Sequence, residues 1–251
     1  MAEFPGNIGT KILESETDRK QTQVDWDLSI EFLAGNQWMR YDRRLRDFLS
    51  VNNGQDGKVT INLILNIYRN MLSRLAIAYP SIAAMPSSPS TEDILKAKAS
   101  ETALRYYWAE DDVKETIEKS LEWLLTTGTT AIHTFYDSGE KRVRTVAHSP
   151  YDLVFEPKIN CPDEAQWVAI RTFHTKAALK EAFPDVSEFI DKAPETQYDA
   201  STWGDHKPGN RLEVYEVYWR DGRHAFVLNN KYLFKEKVDM PVFPIQVIRY
   251  T

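Results

Sequence analysis

Leu121-Glu122-Trp123-Leu124-Leu125-Thr126-Thr127-Gly128-Thr129-Thr130-Ala131-Ile132-His133-Thr134-Phe135-Tyr136 is where the chain changes character. Before Thr126, apolar residues recur at steps of three and four. Val113, Ile117, Leu121, Leu124 and Leu125 therefore share one face of a helix predicted over 112–125. After Gly128 the period drops to two, which points successive side chains to opposite faces of a strand. Thr126-Thr127-Gly128 is the natural break, because glycine accepts the left-handed conformation that closes a helix. Strands are expected over 130–136 and 142–147. Between them Asp137-Ser138-Gly139-Glu140 forms a hairpin turn with a glycine available for positive φ.

The first half of the chain, before this break, reads as helices joined by loops. Residues 15–34 begin polar and gain Val24, Leu28, Phe32 and Leu33, with Gly35 as terminator. A basic run follows, Arg40, Arg43, Arg44 and Arg46, interleaved with Tyr41, Leu45, Phe48 and Leu49. On a helical period Arg40, Arg43 and Arg44 share one side, close to Trp38. The turn formers at 52–57 predict a loop. The helix with the clearest stripe, 61–79, carries Ile61, Ile64, Leu65, Tyr68, Met71, Leu72, Leu75 and Tyr79 on one face. It would be roughly 28 Å long, it is expected to form core, and Pro80 should end it. A loop at 81–90 leads to a helix capped by Thr91, with Glu92 and Asp93 in its positive first turn, running to about residue 110.

Beyond the break, strands are predicted at 152–155 and 166–173, a short helix at 175–183 stopped by Pro184, and a polar loop at 193–210. Three strands then follow at 212–220, 224–228 and 232–238, joined by Asp221-Gly222 and Asn229-Asn230 turns, with a last strand at 243–251. The fold class is α+β. A mainly helical segment 1–127 and a mostly antiparallel, β-rich segment 128–251 are expected to form one compact unit. Aromatic residues on both parities of 212–220 (Tyr215 and Trp219 against Tyr218) suggest that both faces of that strand are covered, with a neighbouring subunit as one candidate cover.

Composition narrows the function. With 42% hydrophobic and 27% charged residues the chain can bury a core. A net charge of −6 argues against a surface built to grip a phosphate backbone all over, since such affinity comes from Lys and Arg displacing counterions. The single cysteine, Cys161, excludes an intrachain disulfide and lies beside Pro162-Asp163-Glu164, where acids disfavour a thiolate. No basic and apolar leader opens the chain, and the polar residues within 61–79 exclude a membrane span there. A soluble protein made in the cytoplasm is expected.

No catalytic constellation is found. His133, His148, His174, His206 and His224 are scattered without metal-ligand spacing. Gly-x-Ser-x-Gly, P-loop and Gly-x-Gly-x-x-Gly motifs are absent. Glu110-Asp111-Asp112 is read as helix capping at a junction. No catalytic residue, metal or cofactor is assigned. The arginine run with its aromatic neighbours can meet phosphates, the acids of a neighbouring subunit, or solvent.

The order of several segments resembles the amino-terminal part of short-tailed-phage portal proteins. Phe32-Leu33-Ala34-Gly35-Asn36-Gln37-Trp38 comes first, then Ile61-Asn62-Leu63 opening the helix before Pro80 and Met85-Pro86. A helix pair within 97–125 closes in Thr127-Gly128-Thr129-Thr130-Ala131, and His148-Ser149-Pro150-Tyr151-Asp152-Leu153-Val154-Phe155 follows the hairpin. The short helix 175–183, then Val214-Tyr215-Glu216-Val217-Tyr218-Trp219 and Pro244-Ile245, complete the series, so the likeness covers roughly 26–251.

The resemblance implies a wing-like portion of a portal ring, typically of twelve subunits, in the virion at the vertex for DNA packaging, ejection and head–tail joining. Its partners would be copies of itself, the major capsid protein, tail adaptors, the packaging terminase and double-stranded DNA, with no membrane. The family's stem helices, clip and crown, which follow the Pro-Ile strand, are not found in these residues. Channel lining and terminase docking are therefore not carried over. Expected interface residues are Trp38, Arg40, Arg43, Arg44 and Arg46 on an exposed helix face, and Tyr218 and Trp219 at strand edges. The alternatives are another head–tail adaptor or capsid-associated protein, a nucleic-acid-binding module using the arginine run, or a metal-dependent nuclease with converging carboxylates.

Overall fold

A computed structural model of the chain describes residues 4–45, 47–51, 59–77, 82–159, 164–197, 210–239 and 243–249. The loop expected at 52–57, the helix end at Tyr79 and Pro80, most of the loop at 193–210, and Arg46, Cys161 and His206 lie outside them. The class is α+β, with N-terminal helices followed by C-terminal strands, and every described strand pair is antiparallel. Two compact units partition the chain: Met1–Lys20 with Tyr151–Phe243, and Gln21–Pro150 with Pro244–Thr251. Helix α1 (Ile8–Ala34) gives its first part to one unit and the rest to the other.

The unit containing Tyr151–Phe243 is built on a sheet of order β10-β9-β8-β6-β5. Its strands are β5 (Leu153–Phe155), β6 (Trp167–His174), β8 (Asn210–Trp219), β9 (Arg223–Leu228) and β10 (Lys231–Lys237), and a two-residue strand, β7 (Thr196–Gln197), pairs with β8 off this path. The turns follow their residues. Gly222 takes φ 82°, and Asn229 and Asn230 take φ 46° and 64°, the left-handed pair that a tight hairpin requires. Both sheet faces are covered from within the chain. Val154, Trp167, Ala169, Val217, Trp219 and Val227 pack against Ile8 and Ile12 of α1. On the other face Leu212, Val214 and Leu228 pack against α5 (Lys176–Ala182) and α6 (Ser187–Lys192) through Leu179, Phe183 and Ile190. The double parity of aromatics on β8 thus reflects two helical covers supplied by this polypeptide.

The second unit has a three-stranded sheet of order β11-β3-β4, formed by β3 (Thr129–Asp137), β4 (Arg142–His148) and β11 (Ile245–Arg249). Helix α4 (Val113–Thr127) packs on β3 and β4, while α2 (Leu63–Ile77) and α3 (Thr91–Glu110) pack on α4. The sheet-facing residues of α4 are Val113, Thr116 and Ser120, small enough for close approach, and Thr116 Oγ1 donates to the Thr145 carbonyl at 3.0 Å. Gly128 ends α4 at φ 71°, its N–H on the Leu124 carbonyl. Asn62 fixes the start of α2: its side-chain oxygen accepts from Leu65 N–H (3.0 Å), and its amide donates to the Leu33 carbonyl at the end of α1 (2.8 Å).

Several expectations are corrected. The segment around Arg40–Arg44 is a β-hairpin, not a helix: β1 (Met39–Asp42) pairs with β2 (Asp47–Ser50), with Tyr41 opposite Phe48. Asp42 decides this, because its Oδ1 accepts from the N–H of Arg44 (2.8 Å) and of Leu45 (3.3 Å), a local bond that competes with helix formation. Helix α2 contains no buried residue, so its stripe is not core within this chain. Ser90, not Thr91, caps α3, its hydroxyl accepting from Asp93 N–H at 3.2 Å. In the β3–β4 turn the left-handed residue is Lys141 (φ 55°) rather than Gly139, because Asp137 Oδ1 holds the N–H groups of Gly139 and Glu140. Helix α6 was not anticipated from the sequence.

Candidate interaction surface

Apolar side chains that a folded domain normally hides lie in the open on the Gln21–Pro150 unit. Leu63, Ile64, Ile67, Met71, Leu75 and Ile77 of α2 are all exposed, Ile67 by 60%, and α3 adds Leu95, Leu104 and Tyr106. Helix α3 likewise has no buried residue. The apolar spacing of α2 that suits it to packing is therefore satisfied only along the line where it meets α4 and the end of α1. An apolar surface spread over four helical turns is unusual for a monomer and makes this face a candidate for contact.

Part of that face is concave. An open groove of about 330 Å³ runs between α1, α2 and α4, lined mainly by Phe32, Leu33, Ile64, Ile67, Met71 and Leu125. Tyr68 and Thr126 also line it. Partial burial raises the Tyr68 hydroxyl above its ordinary pKa, and the nearby Glu122 carboxylate raises it further. Glu122 does not line the groove; it is exposed on α4 one turn before the lining residues Leu125 and Thr126, which puts a carboxylate next to an apolar groove.

The β1–β2 hairpin is the second element of this surface. It forms a two-stranded sheet by itself. Among its described residues none is buried, and Trp38, Tyr41, Leu45 and Leu49 are exposed, Leu45 by 64%. Tyr41 and Phe48 form a cross-strand pair with ring centroids 5.2 Å apart. Trp38 Nε1 donates to Thr60 Oγ1 at 3.0 Å, and Val51 N–H to the Trp38 carbonyl at 2.8 Å, which ties the base of the hairpin. Arg40 stands on β1, and Arg43 and Arg44 stand in the turn, all three exposed.

The other two expected interface residues are elsewhere. Tyr218 and Trp219 are buried in β8, which lies between β6 and β9, so they are neither exposed nor at an edge. The Tyr218 ring stacks on His224 (centroids 4.4 Å apart, interplanar angle 10°), and its hydroxyl donates to Glu216 at 2.6 Å. Trp219 meets the edge of Phe4 and lies under the Arg223 guanidinium.

Two charged clusters lie in the Tyr151–Phe243 unit. Arg171 bonds Asp152 and the Tyr151 carbonyl at 3.2 Å and faces Glu213 (3.6 Å) and Glu16 (3.9 Å). The Tyr215 hydroxyl lies 2.7 Å from Glu16 and 2.8 Å from Glu213, and Arg19 donates to the Leu153 carbonyl. This network ties α1 to three strands. In the second cluster His224 lies between Glu216 (3.0 Å) and Glu236 (2.7 Å). Burial pulls the imidazole down, but the hydrogen bonds to both carboxylates outweigh it, so its pKa is raised. Among the described residues no group of three or more His, Cys, Asp or Glu is arranged to hold a metal ion.

The β1–β2 hairpin, which serves as an arm on this unit, was hidden in the sequence because arginines at helical spacing masked a shorter signal. Met39-Arg40-Tyr41-Asp42 and Asp47-Phe48-Leu49-Ser50 alternate about a central turn held by Asp42. Nothing in one sequence could show that α2 keeps its stripe uncovered, since exposure depends on what the rest of the chain brings against it. The chain matches no protein-family model, and no curated protein matches it at a significant level.

Proposed function

We propose that this chain is a structural subunit of a portal-type ring of a tailed bacteriophage, made of copies of itself around passing double-stranded DNA. The ring would stand in the virion, where major capsid protein, tail adaptors and packaging terminase meet. The order of segments that resembles portal proteins supports the family. The uncovered apolar face of α2 carries the assembly half of the reading, because hiding it in water takes a partner surface. The role is geometric, and no bond is made or broken.

Light scattering coupled to size exclusion, with negative-stain imaging, tests it on the longest expressible product. Closed rings with a central hole are the expected result. Replacing both Ile67 and Met71 by Glu should abolish the rings while leaving the circular dichroism spectrum intact, since both side chains are exposed. A wild-type protein that stays monomeric at high concentration overturns the proposal.

A further inference from the structure

The β1–β2 hairpin is a surface element tied down at its base by Trp38 and Val51 and exposed towards its tip. An isolated two-stranded hairpin is marginally stable in water, and packing against another surface is its usual remedy. This hairpin has no third strand and no buried residue among those described. It presents Leu45 at the tip, Tyr41 on one face and Leu49 on the other, beside Arg43 and Arg44. The segment from Trp38 to Val51 holds four arginines against two aspartates, in a chain of net charge −6, so the arm is basic and the remaining surface is acidic.

The α1/α2/α4 groove offers the complementary features. It is apolar within and open to solvent, and Glu122 is exposed on α4 one turn before its lining residues Leu125 and Thr126. Arm and groove belong to the same unit and share no residue. A contact between two different patches on identical chains is head-to-tail, and head-to-tail contacts close into rings when the rotation fits.

We infer that the hairpin of one copy seats in the α1/α2/α4 groove of the next, with Leu45 and Tyr41 inside the groove and Arg43 and Arg44 facing Glu122. This inference rests on the self-association proposed above and names the surfaces that produce it. The apolar residues form the core of the contact, and the charges form its rim and set orientation. Duplex DNA is the competing partner for an arginine-tipped ribbon, but the exposed Leu45 and Leu49 have no role against phosphates.

Complementary variants of the full chain test this. An arm variant (Tyr41→Ser with Leu45→Ser) and a groove variant (Ile67→Glu with Met71→Glu) should each weaken self-association by roughly tenfold or more, as interface anchors do. Mixed together, they should form heterodimers, because one intact arm still meets one intact groove. In a charge exchange, Arg44→Glu and Glu122→Arg should each weaken association, and their combination should restore it. If wild-type rings form and the arm variant forms them equally well, the arm inference fails while the ring proposal stands. If wild-type protein is monomeric, both fail. Should the arm variant assemble normally but lose binding to a 30-base-pair duplex, the arm is a DNA contact and the inference is overturned.

Discussion

His224 is the residue whose surroundings make the sharpest statement about pH. Glu236 stands opposite it on β10 and Tyr218 on β8, while Glu216 reaches its other ring nitrogen. Phe226 and Phe234 supply the apolar walls. The two carboxylates favour the imidazolium, so the folded pKa lies above the unfolded value. A raised histidine contributes stability that is complete below about pH 6.5, its ordinary value, and is lost as pH rises through the folded pKa. Urea unfolding at a series of pH values should show stability falling through that window in wild type, with a smaller fall in His224→Gln. His174, whose pKa burial lowers, acts in the opposite sense and is left untouched by that variant. An unchanged slope in His224→Gln would remove the assignment.

At the scale of elements, α1 is held to the Tyr151–Phe243 sheet by shape as well as by charge. Ile8 and Ile12 are almost fully buried on it, and Ser15 Oγ donates to the Phe155 carbonyl at 2.6 Å. Ile12→Ala should cost about 2–4 kcal/mol in chemical unfolding, from lost transfer energy and an unfilled cavity. Gly9 lies between these isoleucines, where any Cβ would overlap the Asn230 side chain of the β9–β10 turn. Gly9 is the second residue of α1, where glycine gives the helix nothing that alanine would not, so close approach accounts for it. Gly9→Ala should therefore destabilise the protein by about 1–3 kcal/mol, although alanine is the better helix former. A neutral or stabilising Gly9→Ala would show that Asn230 moves aside freely.

For the whole molecule, the balance between apolar and ionic contact can be read from salt. If copies meet through the apolar face with arginines only at the rim, association should weaken modestly between about 0.1 M and 1 M NaCl, since salt screens exposed pairs and leaves apolar burial intact. Analytical ultracentrifugation across that range measures this. Complete dissociation at high salt would mean that charge, not the α2 face, dominates.

Local chemistry made much of the architecture legible in the sequence. The change of period at Gly128, the Asn229-Asn230 and Asp221-Gly222 turns and the ends of α1 and α4 follow from backbone preferences that neighbouring residues impose. The hairpin escaped because the hydrogen bonds that one side chain, Asp42, accepts from the N–H groups of Arg44 and Leu45 outweighed helical spacing. Burial was decided only in three dimensions. Tyr218 and Trp219 look like edge aromatics until β6 and β9 flank their strand and helices cover both faces. The stripe on α2 looks like core, but the fold leaves Leu65, Tyr68 and Leu72 half-buried and Ile64, Ile67, Met71 and Leu75 exposed. Periodicity determines which residues share a face. Whether that face meets the same chain or water depends on distant segments, and no local rule contains that information.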